Sequence, residues 1–295
     1  MNFNLDNVSF KIEYNKVSEA VDNCLSGPWE GVLASYDEFL LLKNTKLYTK
    51  GLQGLVPSSR CLLIPETMLI LGLKEGLNLQ KTMLVDLETF RITSLQDSHY
   101  PKIHSGAVYL HPYVYCIGGA SDLKKPLVAF NFCEKLNLET RTWETMSDLP
   151  KPKMNLGVCS YRSNIYVVGG RSSENNKLGT IEKYTVAHDF WETLSVAVTN
   201  ISHIACIPVT QGILMIGGEK YVAYINLEKT SLELQFQMDA CYGDCSIVNS
   251  LAVFSRGVGK IFTGFVVFEI TDKSCESQRV NCLILKNALK QYPLY

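Results

Sequence analysis

Charge of one sign is missing from this chain: 28 basic residues stand against 29 acidic ones, a net charge of -1. That balance gives no field to hold a polyanion or an anionic bilayer, so neither nucleic acid nor a membrane surface is an expected partner. No apolar run reaches the roughly 20 residues that a spanning helix needs. The opening Met1-Asn2-Phe3-Asn4-Leu5-Asp6 lacks the basic start and apolar stretch of a secretory leader. We therefore expect a cytoplasmic location. The ten cysteines include no Cys-x-x-Cys spacing, which removes a zinc ribbon or a thioredoxin motif. Cys116, Cys159 and Cys206 lie inside apolar, strand-like segments and read as reduced, buried thiols. Cys241 and Cys245 are close enough in sequence for a disulfide or part of a metal site as the alternative. Gly-x-Ser-x-Gly, the Walker loop and His-Glu-x-x-His are all absent.

What is present is a repeat. Val114-Tyr115-Cys116-Ile117-Gly118-Gly119 is followed by Cys133-Glu134-Lys135-Leu136 and then Trp143-Glu144-Thr145. The same order returns as Ile165-Tyr166-Val167-Val168-Gly169-Gly170, Ile181-Glu182-Lys183-Tyr184 and Trp191-Glu192-Thr193, displaced by 48 to 51 residues. A period of that length marks a propeller or a solenoid. With 295 residues and 46% hydrophobic content, one large β domain can be filled.

Short apolar runs separated by turn residues extend the pattern in both directions. One unit precedes as Gly31 to Ser35, Glu38 to Asn44 and Lys46 to Gly51. The next is Arg60 to Ile64, Thr67 to Gly72, Lys81 to Leu87 and Phe90 to Leu95. After the two clear copies come His203 to Pro208, Gly212 to Gly218, Tyr221 to Leu227 and Leu232 to Gln237. A sixth unit reads Asp244 to Asn249, Leu251 to Ser255, Phe262 to Ile270 and Cys275 to Val280. An apolar pair at an offset of five marks each third-to-fourth strand turn: Leu87 and Ile92, Leu138 and Trp143, Val186 and Trp191, Leu227 and Leu232, with Ile270 and Cys275 and, less regularly, Leu47 and Leu52. The predicted architecture is all-β, with six units of four antiparallel strands and the whole of 1–295 as one domain. Residues 8–14 and 281–286 are spare strand candidates, so the terminal segments 1–27 and 281–295 are expected to take part in ring closure.

The unit has a physical logic. Paired glycines end the second strand, where backbones crowd too closely for a side chain. A tryptophan opening the fourth strand is large enough to fill the space between neighbouring sheets. A single sheet cannot bury both faces, so sheets stack radially.

Gly118-Gly119, Gly169-Gly170 and Gly217-Gly218, with Tyr184, Trp143 and Trp191, resemble the kelch repeat, whose period is about 50 residues. The resemblance covers roughly 100–237 and fades outside it: the second unit keeps only Gly72, and the sixth has Arg256-Gly257-Val258-Gly259. It implies a six-bladed kelch-type β-propeller, with five or seven blades as the alternatives. Kelch propellers often close by mixing strands from both ends of the chain.

The resemblance also implies a binding platform. In peptide-holding members, polar residues near the start of the first strand line one mouth of the channel. Counting 14 residues back from the first glycine gives His104, Asn155 and His203, and from Gly72 gives Ser58, with Arg60 close by. Arg171, directly after a glycine pair, can reach the same region. Arg60, His104, Asn155, Arg171 and His203 are therefore the candidate partner-binding residues, against the plain reading of ordinary loop positions. The loop from Arg171 to Lys177 is polar and long, and suits either a binding loop or a solvated hairpin tip.

Some kelch propellers are enzymes, among them copper radical oxidases, sialic acid epimerases and iron-dependent specifier proteins. The five histidines, His99, His104, His111, His188 and His203, show no evident third ligand beside His104 and His203. The Glu-x-x-x-Asp-x-x-x-His spacing of the specifier proteins is missing. We therefore expect no cofactor, no metal and no catalytic residues. The leading expectation is a non-enzymatic adaptor or scaffold that binds a protein or peptide, the rival is a structural subunit of a cytoskeletal or other large assembly, and an enzyme with a channel-mouth active site is the third and least favoured reading.

Overall fold

The computed structural model describes residues 60–64, 67–76, 78–86, 88–89, 91–121, 126–198, 200–209, 211–217 and 221–237, and beyond them the backbone of strands between 31 and 51 and between 242 and 293. Side chains are described within 60–232.

Every sheet among these residues is an antiparallel meander. The first is β1 (Gly31–Ala34), β2 (Glu38–Lys43) and β3 (Lys46–Gly51). The second is β4 (Arg60–Ile64), β5 (Thr67–Glu75), β6 (Asn78–Asp86) and β7 (Ile92–Ser94). The third is β8 (Gly106–Leu110), β9 (Tyr113–Ile117), β10 (Cys133–Asn137) and β11 (Thr142–Thr145). The fourth is β12 (Gly157–Tyr161), β13 (Asn164–Val168), β14 (Ile181–Thr185) and β15 (Phe190–Thr193). The fifth is β16 (Ile204–Val209), β17 (Gly212–Gly217), β18 (Tyr221–Asn226) and β19 (Ser231–Gln237). The sixth is β20 (Tyr242–Val248), β21 (Leu251–Val258), β22 (Ile261–Thr271) and β23 (Arg279–Ile284), with β24 (Tyr292–Pro293) also pairing β22. The first strands of successive sheets are neighbours: β8 lies beside β4 and β12, and β16 beside β12 and β20.

Two expectations shift. The last strand of the sixth sheet is Arg279–Ile284, not Cys275 to Val280, because β22 runs on to Thr271 and pairs Ile270 with Val280. Residues 281–284 thus belong to β23 inside the sixth sheet, and residues 8–14 lie outside the described residues.

Both faces of each central sheet are apolar because each face meets another sheet. Strand residues alternate sides. Val114 and Cys116 therefore enter the layer shared with Ile64, Leu69 and Leu71 of the second sheet. Tyr115 and Ile117 enter the layer shared with Ile165, Val167 and Trp191 of the fourth. Tyr166 and Val168 face Ile204, Ile213 and Met215 of the fifth.

The tryptophans lock these layers. Trp143 and Trp191 are each 6% exposed. Burying roughly 200 Å² of ring at about 25 cal/mol/Å² contributes up to about 5 kcal/mol each, several times a single hydrogen bond. The indole nitrogens set the rings' direction: Trp143 Nε1 donates to the Gln96 carbonyl at 2.9 Å, and Trp191 Nε1 to the Ser147 carbonyl at 2.8 Å. Both carbonyls belong to the connection leaving the preceding sheet, so each ring ties an outer strand to its neighbour. Across the hairpin the strand partners are Leu136 with Trp143, Tyr184 with Trp191 and Ile225 with Leu232.

The turns have a cause that the five-residue offset only grazes. Asn137 Oδ1 accepts from the amides of Glu139 (2.9 Å) and Thr140 (3.1 Å). Asp86 and Asn226 hold Glu88-Thr89 and Glu228-Lys229 in the same way. An Asx side chain replaces the backbone acceptor and reverses the chain.

The glycine pairs sit where the next sheet's connection comes in. A Cβ on Gly118 would lie 2.4 Å from the Lys153 carbonyl oxygen, and one on Gly169 2.4 Å from that of Ile201. Both have positive φ, 58° and 63°. The second glycine of each pair then donates across the gap, Gly119 N to Lys153 O at 2.9 Å and Gly170 N to Ile201 O at 2.8 Å.

Candidate binding site

The count of 14 residues picks out one structural position three times. His104, Asn155 and His203 all have left-handed backbone, with φ of 54°, 53° and 56°. Asn and His tolerate that conformation better than most side chains. It turns each connection into the first strand of its sheet. The three are joined through the main chain: Asn155 N donates to His104 O at 2.8 Å, and His203 N to Asn155 O at 2.8 Å. His104 and Asn155 are half-buried, and His203 is exposed.

Arg171 joins this row. Its amide donates to Met154 O at 2.7 Å and its carbonyl accepts from Met154 N at 3.0 Å, one residue before Asn155. Its guanidinium reaches forward, Nε to Ser202 Oγ at 2.8 Å and Nη1 to Asn175 Oδ1 at 2.7 Å. Ser202 Oγ is 3.2 Å from His203 Nδ1. The arginine therefore spans from Asn155 towards His203, with its head already oriented.

The loop behind it is built rather than loose. Ser172 N donates to Asn176 O and Asn175 N to Ser172 O, both at 3.0 Å. Ser173 Oγ accepts from Ala129 N at 2.9 Å, which pins the loop to the third sheet. Arg60 stands on the second sheet. It opens β4 and pairs with Leu71, at the register where the third and fourth sheets carry Gly106 and Gly157. Ser58 lies outside the described residues.

Beneath the row lie two buried ion pairs that sequence reasoning did not single out. Lys153 and Glu182, 0% and 1% exposed, bond to each other. Thr180 Oγ1 completes that pair, accepting from Lys153 Nζ and donating to Glu182 Oε1, each at 2.7 Å. Burial pushes the Lys153 ammonium below its ordinary range, and the pull of Glu182 only partly offsets this. Lys102 pairs with Glu134 in the same way, and His99 Nδ1 meets the other carboxylate oxygen at 2.6 Å. The signal was present: each lysine stands 16 residues before a first glycine, and each glutamate opens a repeated Glu-Lys. In the fifth sheet the same two places hold Ile201 and Ala223, both buried. The site is thus filled by two opposite charges or by two apolar side chains.

The buried thiols are not poised for attack. Burial drives Cys116 and Cys133 up to about 12. Among the described residues, no three His, Cys, Asp or Glu side chains gather as a metal would require. None of the described helices is long and apolar enough to cross a membrane. The row instead offers a preset guanidinium, imidazoles and an amide, which are groups for recognition.

The family model described as Kelch motif matches residues 152–195, from the second buried lysine to Leu194 and Ser195 beyond Trp191. Residues 152–195 therefore carry a kelch motif. The chain's repeats resemble Beta-scruin of Limulus polyphemus, 30% identical over 98 residues, which is 32% of this chain and 11% of the relative. They also resemble Kelch repeat and BTB domain-containing protein 1 of camelpox virus (strain CMS), 28% identical over 116 residues, 38% of this chain and 20% of that one. The chain thus spans a tenth to a fifth of these relatives' own length. In three dimensions the chain superposes on a solved structure titled "Structure of YjhT" with a TM-score of 0.69 and 10% identity, over 88% of this chain and 98% of that one. At that identity the likeness concerns the fold alone.

Proposed function

We propose that this kelch chain is a non-enzymatic interaction module. It would be built as a closed six-bladed ring and bind a protein or peptide at the mouth lined by His104, Asn155, Arg171 and His203. The observation that carries the reading is the Arg171 guanidinium, held between Ser202 and Asn175 beside a main-chain-linked row from three successive sheets. Orienting a charged head before a partner arrives lowers the ordering cost of binding. The ring is supported by the order of neighbours, since β1 lies beside both β4 and β20. Support for a mouth over the flanks comes from the surface: among the described residues the large exposed apolar side chains are Val128 and Phe190, on separate elements. An assembly subunit gripping neighbours by its sides would call for a broader apolar patch.

Affinity purification from the source cell tests this. The comparison is wild type against His104→Asn, Asn155→Gly, Arg171→Gln and His203→Asn combined, chosen to keep the left-handed backbone. Loss of a partner with an unchanged thermal midpoint is expected. Retention of the same partners moves the binding surface to the flanks, as a structural subunit of a larger assembly would have it.

A further inference from the structure

Arg171 is half-buried, yet no carboxylate answers its charge. Among the described residues the lysines and arginines in ion pairs are Lys81, Lys102, Lys135, Lys153, Arg162 and Lys183, each with a glutamate. The Arg171 head is held instead by two neutral oxygens, Ser202 Oγ through Nε at 2.8 Å and Asn175 Oδ1 through Nη1 at 2.7 Å. These bonds use one donor on Nε and one on Nη1. Nη2 and the second Nη1 hydrogen meet no acceptor among the described residues. The two ends differ in access: Ser202 is 2% exposed, and Asn175 is exposed. A ligand therefore reaches the outer end without displacing the inner one.

The surroundings add to the imbalance. Lys177 pairs with Arg171 across the base of the loop. Residues directly opposite in an antiparallel pair project to the same side, where like charges repel. Glu174, the acid of this loop, is exposed and forms no ion pair with Arg171. The loop also holds the head in place. Asn175 has a left-handed φ of 64°, its amide bonds Ser172 O at 3.0 Å, and Ser173 Oγ is tied to Ala129 N at 2.9 Å.

We infer that Arg171 receives a carboxylate of the partner, carried by an aspartate or glutamate side chain or by the partner's C-terminus. The inference rests on the mouth being the binding surface. The carboxylate oxygens accept side by side from Nη1 and Nη2, a match that the planar guanidinium fork makes and an ammonium does not. Such charge-assisted pairs are stronger than bonds between neutral groups. The head is already partly stripped of water and fixed in direction, so the carboxylate finds its donors without having to order them. It also supplies the negative charge that the facing Arg171 and Lys177 call for.

The test uses the full chain and two probes. Sodium acetate is titrated at constant ionic strength, with acetamide as the neutral control, and the arginine Nε–H signals are followed by NMR. The Arg171 signal, assigned by its loss in Arg171→Lys, should shift and saturate with acetate alone, while those of the exposed Arg91 and Arg141 drift without saturating. A peptide selected on the chain from a random library is then resynthesised with each acidic side chain changed to its amide, and with an amidated C-terminus. One of these changes should weaken binding roughly 10- to 100-fold on wild type and far less on Arg171→Gln, and which one names the source of the carboxylate. The inference is overturned if Arg171 drifts like Arg91 and Arg141, or if every neutralised peptide binds as well as its parent. If the parent peptide needs the mouth residues but no carboxylate, this inference alone falls; if it binds the combined mouth variant unchanged, the mouth reading falls with it. Should Arg171→Gln not fold, the comparison of peptides on wild type decides by itself.

Discussion

Replacing Lys153 by isoleucine should be far more damaging alone than together with Glu182→Ala. The single change leaves Glu182, 1% exposed, as a buried carboxylate whose remaining donor is the Thr180 hydroxyl at 2.7 Å. Breaking a buried pair in this way costs about 3–5 kcal/mol, because the surviving charge keeps its desolvation penalty and loses its attraction. Glu182→Ala alone strands the ammonium and should cost a similar amount. The double variant installs the solution used in the fifth sheet, where Ile201 and Ala223 are 3% and 0% exposed. Its cost should stay within about 2 kcal/mol of wild type, since well-packed apolar replacements of buried pairs are often neutral. At about 2 °C per kcal/mol for a chain of this size, each single variant should melt roughly 6–10 °C lower. Urea melts of all four proteins give the coupling energy directly. If the two single losses simply add in the double variant, the pair is not a coupled unit and the reasoning fails.

The remaining predictions concern the turns and their charges. Gly169→Ala should cost over ~2 kcal/mol, combining positive-φ strain with a clash against Ile201 O, whereas Gly76→Ala should cost only the strain of roughly 1–2 kcal/mol. Gly76 has a φ of 62° but nothing within 4 Å of its Cβ position, so the difference between the two urea midpoints isolates the close approach. Burial pushes the Asp189 carboxyl up, but hydrogen bonds from Ser147 and Tyr184 outweigh it and hold the group below the usual range. Its folded value being the lower one, the stability it contributes is present above about pH 4 and is lost as pH falls through that folded value. Asp189→Asn should therefore flatten the fall of the thermal midpoint below about pH 4, and an unchanged acid limb would refute the linkage.

The hairpins were legible because their signals are local. Gly118-Gly119 and Gly169-Gly170 stop a strand wherever they occur, and the Leu-Glu-Thr turns follow an Asx residue that caps them. The marker pairs sat one step off. The third strand of that sheet ends at Asn137 rather than Leu138 and the fourth opens at Thr142 rather than Trp143. The same marker misplaced the last strand of the sixth sheet, where no Leu-Glu-Thr turn lies between Ile270 and Cys275.

The candidate site was legible in position and not in construction. Counting found His104, Asn155 and His203, yet nothing in those identities announces that their peptides bond to one another. That is a tertiary event between sheets. The Lys–Glu pairs were hidden for a related reason. A charge such as Glu134 next to Lys135 reads as a solvent-facing residue until a lysine from the preceding connection closes over it.

The bonds from Asn155 N to His104 O and from His203 N to Asn155 O are made by groups that every non-proline residue possesses. The spacing of the rim is therefore written in the main chain, while its chemical character is written in the side chains. Mutation at these three places, as long as the left-handed backbone is tolerated, can change the groups the rim presents while the main-chain bonds stay. The surface there could change through single substitutions, each passing through a folded protein.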